Sequence, residues 1–274
     1  MTRFSFSALI TVLAFVLSPG TLADYVIEYQ EDFSSDPRWI TDQPSNYFPE
    51  VGVFHATTPN AQTRPGPTRY AGTLVEYDGR SLNLEFDIQP VDLQWSAAVA
   101  FGFFDRNLAV DTSEDIPDSH FLYIEIGRVD PGRYVSVRVR GESGAQQLDE
   151  AFNVISEGQW YHCVLEYLGG VDSINVTVTN KDTEAPVADL EISNVGGLPD
   201  TLDFLGFARD PRGECCPDCP GYSCSNEATA QLDNVCLRVS TPCPWDISGP
   251  YGVPDDTVNT YDLLALLAAW GACP

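Results

Sequence analysis

Much of this chain repeats one pattern: short runs in which apolar and polar side chains alternate, separated by Gly, Pro, Asp and Asn. The clearest case spans 121–140. In FLYIEIG (121–127), Leu122, Ile124 and Ile126 share one phase and Phe121, Tyr123 and Glu125 the other. In YVSVRVR (134–140), Val135, Val137 and Val139 oppose Tyr134, Ser136, Arg138 and Arg140. A period of two, rich in β-branched residues, marks a half-buried strand. Val129-Asp130-Pro131-Gly132 supplies turn chemistry between the two. A tight turn sets Ile124 against Val137 and Ile126 against Val135. On the other face Tyr123 meets Arg138, Glu125 meets Ser136 and Phe121 meets Arg140. A slip of one residue would carry Arg138 into the core, so burial fixes this register. The polar-phase face is then either solvated sheet or the floor of a ligand groove.

Further strand candidates are 73–77, 82–88, 97–104, 160–168, 172–179, 187–192, 203–207 and 231–238. The Pro/Asn/Thr-rich stretch ending at Thr68 offers little that could be long regular structure. No long amphipathic helix is visible before residue 260. Many short strands with Gly, Pro and Asp turns predict an all-β fold, a two-sheet antiparallel jelly-roll sandwich.

The two ends differ from this middle. Met1–Ala23 has a basic Arg3, an apolar run (ALITVLAFVL) and Thr21-Leu22-Ala23 as a cleavage site, the layout of a secretory signal peptide. The expected organisation is a signal peptide (1–23), a jelly-roll domain (24–240) and a small C-terminal module (241–274), secreted to the extracellular space or cell surface. No apolar run reaches the roughly 18 residues of a membrane span. Without Arg3, 13 of the 14 basic residues remain against 40 acidic ones, a net charge of −27. A chain this acidic does not bind nucleic acid or anionic membrane through its overall field. The acidity serves solubility, or some carboxylates hold calcium.

Eight cysteines behind a signal peptide predict disulfides rather than free thiols. Four crowd into CCPDCPGYSC; a zinc reading of Cys216-x-x-Cys219 is the weaker alternative. Spacing does not determine pairing, and Cys163–Cys236 and Cys243–Cys273 are the expected pairs.

Three short motifs carry a resemblance. Glu31-Asp32-Phe33…Asp36-Pro37-Arg38-Trp39, Gly158-Gln159-Trp160-Tyr161 and Leu232-Asp233-Asn234-Val235 resemble the concanavalin A-like lectin/glucanase jelly roll, its laminin-G-like branch in particular. The resemblance implies paired first and last strands, glycan contacts on the concave face or its rim, and a structural Ca²⁺. Here that suggests Asp32 and Asp233, with Glu31 as an outer candidate, since calcium takes hard oxygen ligands.

The glucanase branch carries its catalytic acids as Glu-x-Asp-x-Glu on one strand. Glu76-Tyr77-Asp78 and Glu85-Phe86-Asp87 each lack the third acid, and Glu125 stands alone. A retaining pair, with carboxyls about 5–5.5 Å apart, has no source here. His55, His120 and His162 are scattered. Tyr123 and Arg138 are the remaining combination for a lyase, as base and carboxylate neutraliser. The sequence therefore favours a non-catalytic protein. Sugar rings stack on aromatics, and Trp39, Tyr47, Phe48, Trp95, Tyr123 and Trp160 are candidates by type. The glycan-binding set is Tyr123, Glu125, Arg138, Arg140 and Trp95; the two arginines would hold an acidic glycan.

The tail from Cys243 resembles the calcium loop and helix of a type I dockerin, an EF-hand relative. Matched residue by residue, Asp246, Ser248, Asp255, Thr257 (through its carbonyl), Asn259 and Asp262 take the first, third, fifth, seventh, ninth and twelfth positions. Departures are the insertion Pro250–Pro254, the weak ligand Ser248, Asp256 in place of the turn glycine, and a single repeat. Leu263–Trp270 follows as a short apolar helix ending at Gly271. The resemblance implies Ca²⁺ and a cohesin-like or cell-surface partner. The functional expectation is a secreted carbohydrate-binding or surface-adhesion protein of polysaccharides or glycoconjugates. A polysaccharide hydrolase or lyase and a structural envelope protein without glycan ligand are the alternatives.

Overall fold

A computed structural model describes residues 25–41, 44, 47–57, 69–77, 80–95, 97–109, 119–129, 132–209, 228–241 and 260. Its strands in chain order are β1 (Tyr25–Glu31), β2 (Ile40–Thr41), β3 (Tyr47–Glu50), β4 (Val53–Thr57), β5 (Arg69–Leu74), β6 (Leu82–Leu93), β7 (Ala97–Phe104) and β8 (Phe121–Val129). Then follow β9 (Gly132–Arg140), β10 (Gln146–Phe152), β11 (Tyr161–Leu168), β12 (Ser173–Asn180), β13 (Pro186–Ser193), β14 (Phe204–Arg209) and β15 (Ala228–Ser240). They form two antiparallel sheets, one of eight strands (β13-β12-β11-β6-β15-β4-β3, with β1 also on β15) and one of seven (β10-β9-β8-β7-β14-β5-β2). This is the expected jelly-roll sandwich, with first and last strands paired.

The alternating residues explain the layers. Leu84, Phe86 and Ile88 of β6, Leu165 of β11 and Leu237 and Val239 of β15 face Phe101 and Phe103 of β7, Ile124 and Ile126 of β8 and Val135 and Val137 of β9 across one core. Each such side chain, fully buried, contributes about 1.5–3 kcal/mol. The β8–β9 register is the one the pattern predicts: Ile124 opposite Val137, Ile126 opposite Val135, Tyr123 opposite Arg138, Glu125 opposite Ser136 and Phe121 opposite Arg140.

The motifs behind the resemblance have local physical reasons. Phe33 and Trp39 meet edge to face at 5.4 Å in the core. The acids of this motif cap turns: Glu31 Oε1 accepts from the Phe33 N–H at 2.8 Å, Asp32 Oδ1 from the Ser34 N–H at 2.9 Å and Asp36 Oδ1 from the Arg38 N–H at 2.8 Å. Leu-Asp-Asn-Val marks a shift in the β15 register between Asp233 and Cys236, with Asn234 at φ 52, a conformation Asn tolerates well. The bulge separates the part of β15 that pairs with β4 from the part that pairs with β1.

Two expectations change. The described residues of the stretch up to Thr68 hold only the short strands β2, β3 and β4, in keeping with the sequence, but β10 was not expected at all. Cys163 and Cys236 are free and buried. They stand on β11 and β15 with β6 between them, so their backbones are about 10 Å apart. Cys163 lies opposite core-facing Phe86 and Cys236 opposite Glu85, on the other face. A disulfide needs Cα atoms within about 7 Å. The leader, the cysteine-rich loop, Cys243, Cys273 and the six calcium-loop residues Asp246, Ser248, Asp255, Thr257, Asn259 and Asp262 lie outside the described residues.

Candidate functional site

Each sheet has an outer face turned away from the core. On the eight-stranded sheet that face is a closed polar network. Asp87 of β6 is 3 % exposed. It accepts from Lys181 Nζ, from Asn234 Nδ2 at 2.8 Å, and pairs with His162 Nδ1 at 2.9 Å. Burial alone would raise its pKa, but these hydrogen bonds and the Lys181 charge outweigh burial and hold the carboxyl below its usual range. Beside it Arg238 pairs with Glu85 and donates to Asn83 Oδ1 at 3.1 Å; Asn83 Nδ2 donates to Glu166 at 3.2 Å. His162 is thus a hydrogen-bonded sheet residue. Trp160 lies beneath Lys181, 5.7 Å from ring centroid to Nζ.

The outer face of the seven-stranded sheet is built differently. Cross-strand pairing sets out its rows. One row runs Phe204, Phe104, Phe121, Arg140 over β14, β7, β8 and β9. The next runs Gly72, Gly206, Gly102, Tyr123, Arg138, Leu148 from β5 to β10. The third runs Tyr70, Ala208, Ala100, Glu125, Ser136, Glu150. A Cβ on Gly206 or Gly102 would lie 2.3 or 2.4 Å from a neighbouring strand's carbonyl oxygen. Only glycine permits that approach, and it leaves the middle row bare of side chains over three strands. The aromatics form a second cluster apart from the main core, with Phe104 and Tyr123 stacked at 5.4 Å and Phe121 and Tyr123 at 4.9 Å.

The expected open face is therefore buried by the chain's own atoms. Tyr123 is 1 %, Glu125 0 % and Arg138 7 % exposed. The register brings Tyr123, Glu125, Arg138 and Arg140 together as expected, and adds Tyr134 and Ser136. Tyr134 donates its hydroxyl hydrogen to Glu125 Oε1. It reaches across because its cross-strand partner is Gly127, where a Cβ would lie 2.5 Å from that hydroxyl. Glu125 Oε2 pairs with Arg138 Nε at 3.4 Å, beyond ordinary hydrogen-bond length. Arg138 Nε and the Oγ of fully buried Ser136 have no hydrogen-bond partner. Arg140 lies over the Phe121 ring at 5.4 Å. Exposure returns at β10, where Leu148 is 47 % exposed and Gln146 and Glu150 face solvent.

Other sequence candidates lie elsewhere. Trp95 precedes β7 and carries Arg128 over its ring at 5.9 Å; Arg128 is seven residues along β8 from Phe121, roughly 24 Å. Trp39 and Tyr47 are core residues, and Phe48 stacks on His55 at 5.1 Å. Asp233 Oδ1 accepts from its neighbour Asn234 N at 2.7 Å. Burial raises its pKa, backbone hydrogen bonding and Lys181 lower it, and Asp87 and Asp32 raise it again, with the net shift upward. The Ser34 backbone and side-chain hydrogen bonds hold Asp32 below the usual range. Among the described residues no three His, Cys, Asp or Glu side chains gather in a metal-binding arrangement. Nor is any helix there long and apolar enough to cross a membrane.

No family model matches the chain, and no curated protein matches it in sequence. Solved structures do match in shape. A lectin, UEA-II complexed with galactose, is 11 % identical with TM-score 0.51, covering 80 % of this chain and 100 % of its own. Basic winged bean lectin with Tn-antigen is 12 % identical with TM-score 0.50, at 80 % and 100 % coverage. An alginate lyase, A1-II' of polysaccharide lyase family 7, is 11 % identical with TM-score 0.43, at 73 % and 85 % coverage. The two lectins establish the concanavalin A-like jelly-roll fold.

Proposed function

We propose that this is a secreted, non-catalytic carbohydrate-binding protein whose ligand lies at the β9–β10 margin of the seven-stranded sheet's outer face. The observation that carries the reading is the buried polar group Tyr134, Glu125, Arg138 and Ser136, set in an aromatic and glycine-lined face and opening towards exposed Leu148. Apolar surface with a few placed polar groups suits a sugar ring, which offers C–H faces and hydroxyls. Two proteins of the same fold are described with galactose and with Tn-antigen, which supports this reading. The cross-strand neighbours of Glu125 are Ala100 and Ser136 and its same-face neighbours along β8 are Tyr123 and Gly127.

The lyase alternative has one observation in its favour, a phenol hydrogen-bonded to a carboxylate beside a guanidinium. One experiment separates the two readings. Mature protein is run through gels containing neutral and acidic polysaccharides, in calcium and in chelator, with reducing and unsaturated ends followed in parallel. Retention without product is expected. Product release would replace the binding reading by the enzymatic one, and neither retention nor product would leave a structural envelope protein. Loss of retention in chelator would assign a role to Ca²⁺, held at Asp32 and Asp233 or in the tail.

A further inference from the structure

We propose that Trp95 and Arg128, at the end of the sandwich, form a second carbohydrate contact, one that takes a neutral sugar ring. The inference rests on the carbohydrate-binding reading but not on the β9–β10 margin, since this contact is built from other residues. Trp95 lies in the link from β6 to β7, which crosses from one sheet to the other. Leu93 and Ala97, both buried, anchor the link on either side. Gln94 O accepts from the Ala97 N–H at 3.2 Å and closes a tight turn. Turn chemistry does not call for tryptophan, yet the ring stands 40 % exposed here. An aromatic side chain with two rotatable bonds on an anchored turn loses little freedom when a ligand packs on it.

Arg128 stands on β8 opposite Ala97, and its guanidinium lies 5.9 Å from the Trp95 ring centroid. Its cross-strand partner on β9 is Arg133, and the two arginines differ. Arg133 Nε donates to Glu157 Oε1 at 3.2 Å, and Arg133 Nη2 lies 2.9 Å from Oε2. Glu157 Oε1 also accepts from the Leu93 N–H at 3.0 Å, so this carboxylate fixes the turn that carries Trp95. The half-buried Arg128 guanidinium forms no hydrogen bond or ion pair among the described residues. Its five donors remain for water or a ligand, beside an exposed indole. That pairing matches a pyranose: C–H groups pack on the ring, and hydroxyl oxygens accept from the planar guanidinium.

Charge decides between neutral and acidic sugars. Burial works to raise the Glu157 pKa, but hydrogen bonds from Arg133 and Leu93 and the charges of Arg133 and Arg128 hold the carboxyl below its usual range. Arg128 therefore offers unused donors rather than an unmatched charge. A net charge of −26 also repels polyanions from the surface as a whole. Hydroxyl oxygens fill the donors without that repulsion.

The test titrates the full mature chain by calorimetry with neutral hexaoses of glucose, xylose, mannose and galactose, and with hexuronates of glucuronate and galacturonate. At least one neutral hexaose should bind, and tighter than any hexuronate. Trp95→Ala removes the stacking face; Arg128→Met removes the donors and keeps a stem over the ring. Neither side chain is buried, so Tm should stay unchanged in both variants. Each should weaken neutral binding about tenfold or more. Trp95→Tyr keeps an aromatic face and should retain most of the affinity. Neutral binding indifferent to either substitution overturns this contact while the carbohydrate-binding reading stands. Hexuronates that bind tighter than the neutral series overturn the neutral assignment. Binding of neither series overturns both readings.

Discussion

Both sheets bury one carboxylate on an outer face, and the two are served very differently. Asp87 receives donors from Lys181, Asn234 and His162, on a face that continues through Arg238, Asn83 and Glu166. Glu125 receives the Tyr134 hydroxyl and faces Arg138 Nε at 3.4 Å, beside a Ser136 hydroxyl that finds no hydrogen-bond partner. The first arrangement is complete without anything else. The second leaves the buried Ser136 hydroxyl without a hydrogen-bond partner, and that gap directs attention to it. A polar group that is buried and paired stabilises a fold. One that is buried and unpaired is tolerated where a ligand completes it.

The sharpest way to break the contrast is at Arg138. Arg138→Leu takes away the cation facing Glu125, leaving a carboxylate at 0 % exposure. The expected loss is about 3–5 kcal/mol by urea denaturation. Replacing both Glu125 and Arg138 with leucine should recover most of it, because packing then substitutes for an expensive pair. A loss under about 1 kcal/mol for the single variant would show that Glu125 does not depend on Arg138.

On the other sheet Asp87→Asn keeps the shape and removes the charge. Hydrogen bonds to a charged group are worth about 1.5–3 kcal/mol, and a loss of that size is expected. The pH dependence tests the same point. Burial works to raise the Asp87 pKa, but hydrogen bonds from Lys181, Asn234 and His162 hold the folded carboxyl low. The unfolded chain therefore takes up this proton first as pH falls. The stabilisation is full above the unfolded carboxylate pKa of about 3.9 and is lost as pH drops through the lower folded value. The difference in Tm between wild type and Asp87→Asn should shrink below about pH 4. A difference that is flat down to pH 2 would contradict the assignment.

The same contrast explains what the sequence revealed. Alternation exposed β6, β8, β9, β11, β12 and β15, and the β8–β9 register followed from keeping Arg138 out of the core. It hid β10, because QQLDEAF lies at a sheet edge and buries neither face fully. It also misled about the second face of β8 and β9. A polar phase was read as facing water or an open groove, yet Tyr123, Glu125 and Arg138 are covered. The available signal was in β7: AAVAFGFF is apolar in both phases, and all eight of its residues are buried. A strand apolar on both sides is covered on both sides, and its neighbours share that cover. Ser136 carried no signal, since a serine in the polar phase of a strand reads as ordinary surface. Cys163 and Cys236 were expected as a disulfide and are free, because composition speaks of compartment and not of which face a strand presents.

Two smaller substitutions sharpen the comparison on the incomplete face. Gly127→Ala would place a Cβ 2.5 Å from the Tyr134 hydroxyl. The ring must move off Glu125, for an expected loss of about 1–3 kcal/mol, the usual range of overpacking. Ser136→Ala should cost nothing, within about 0.5 kcal/mol, and should slightly stabilise if its Oγ is as unpartnered as it stands. Removing a buried hydroxyl normally destabilises when the hydroxyl is bonded, as an equivalent deletion among the paired groups around Asp87 would. If Ser136→Ala instead loses about 1 kcal/mol or more in unliganded protein, its Oγ is already satisfied within the chain. The two outer faces would then be equally complete, and nothing would set the seven-stranded sheet apart as the ligand-binding one.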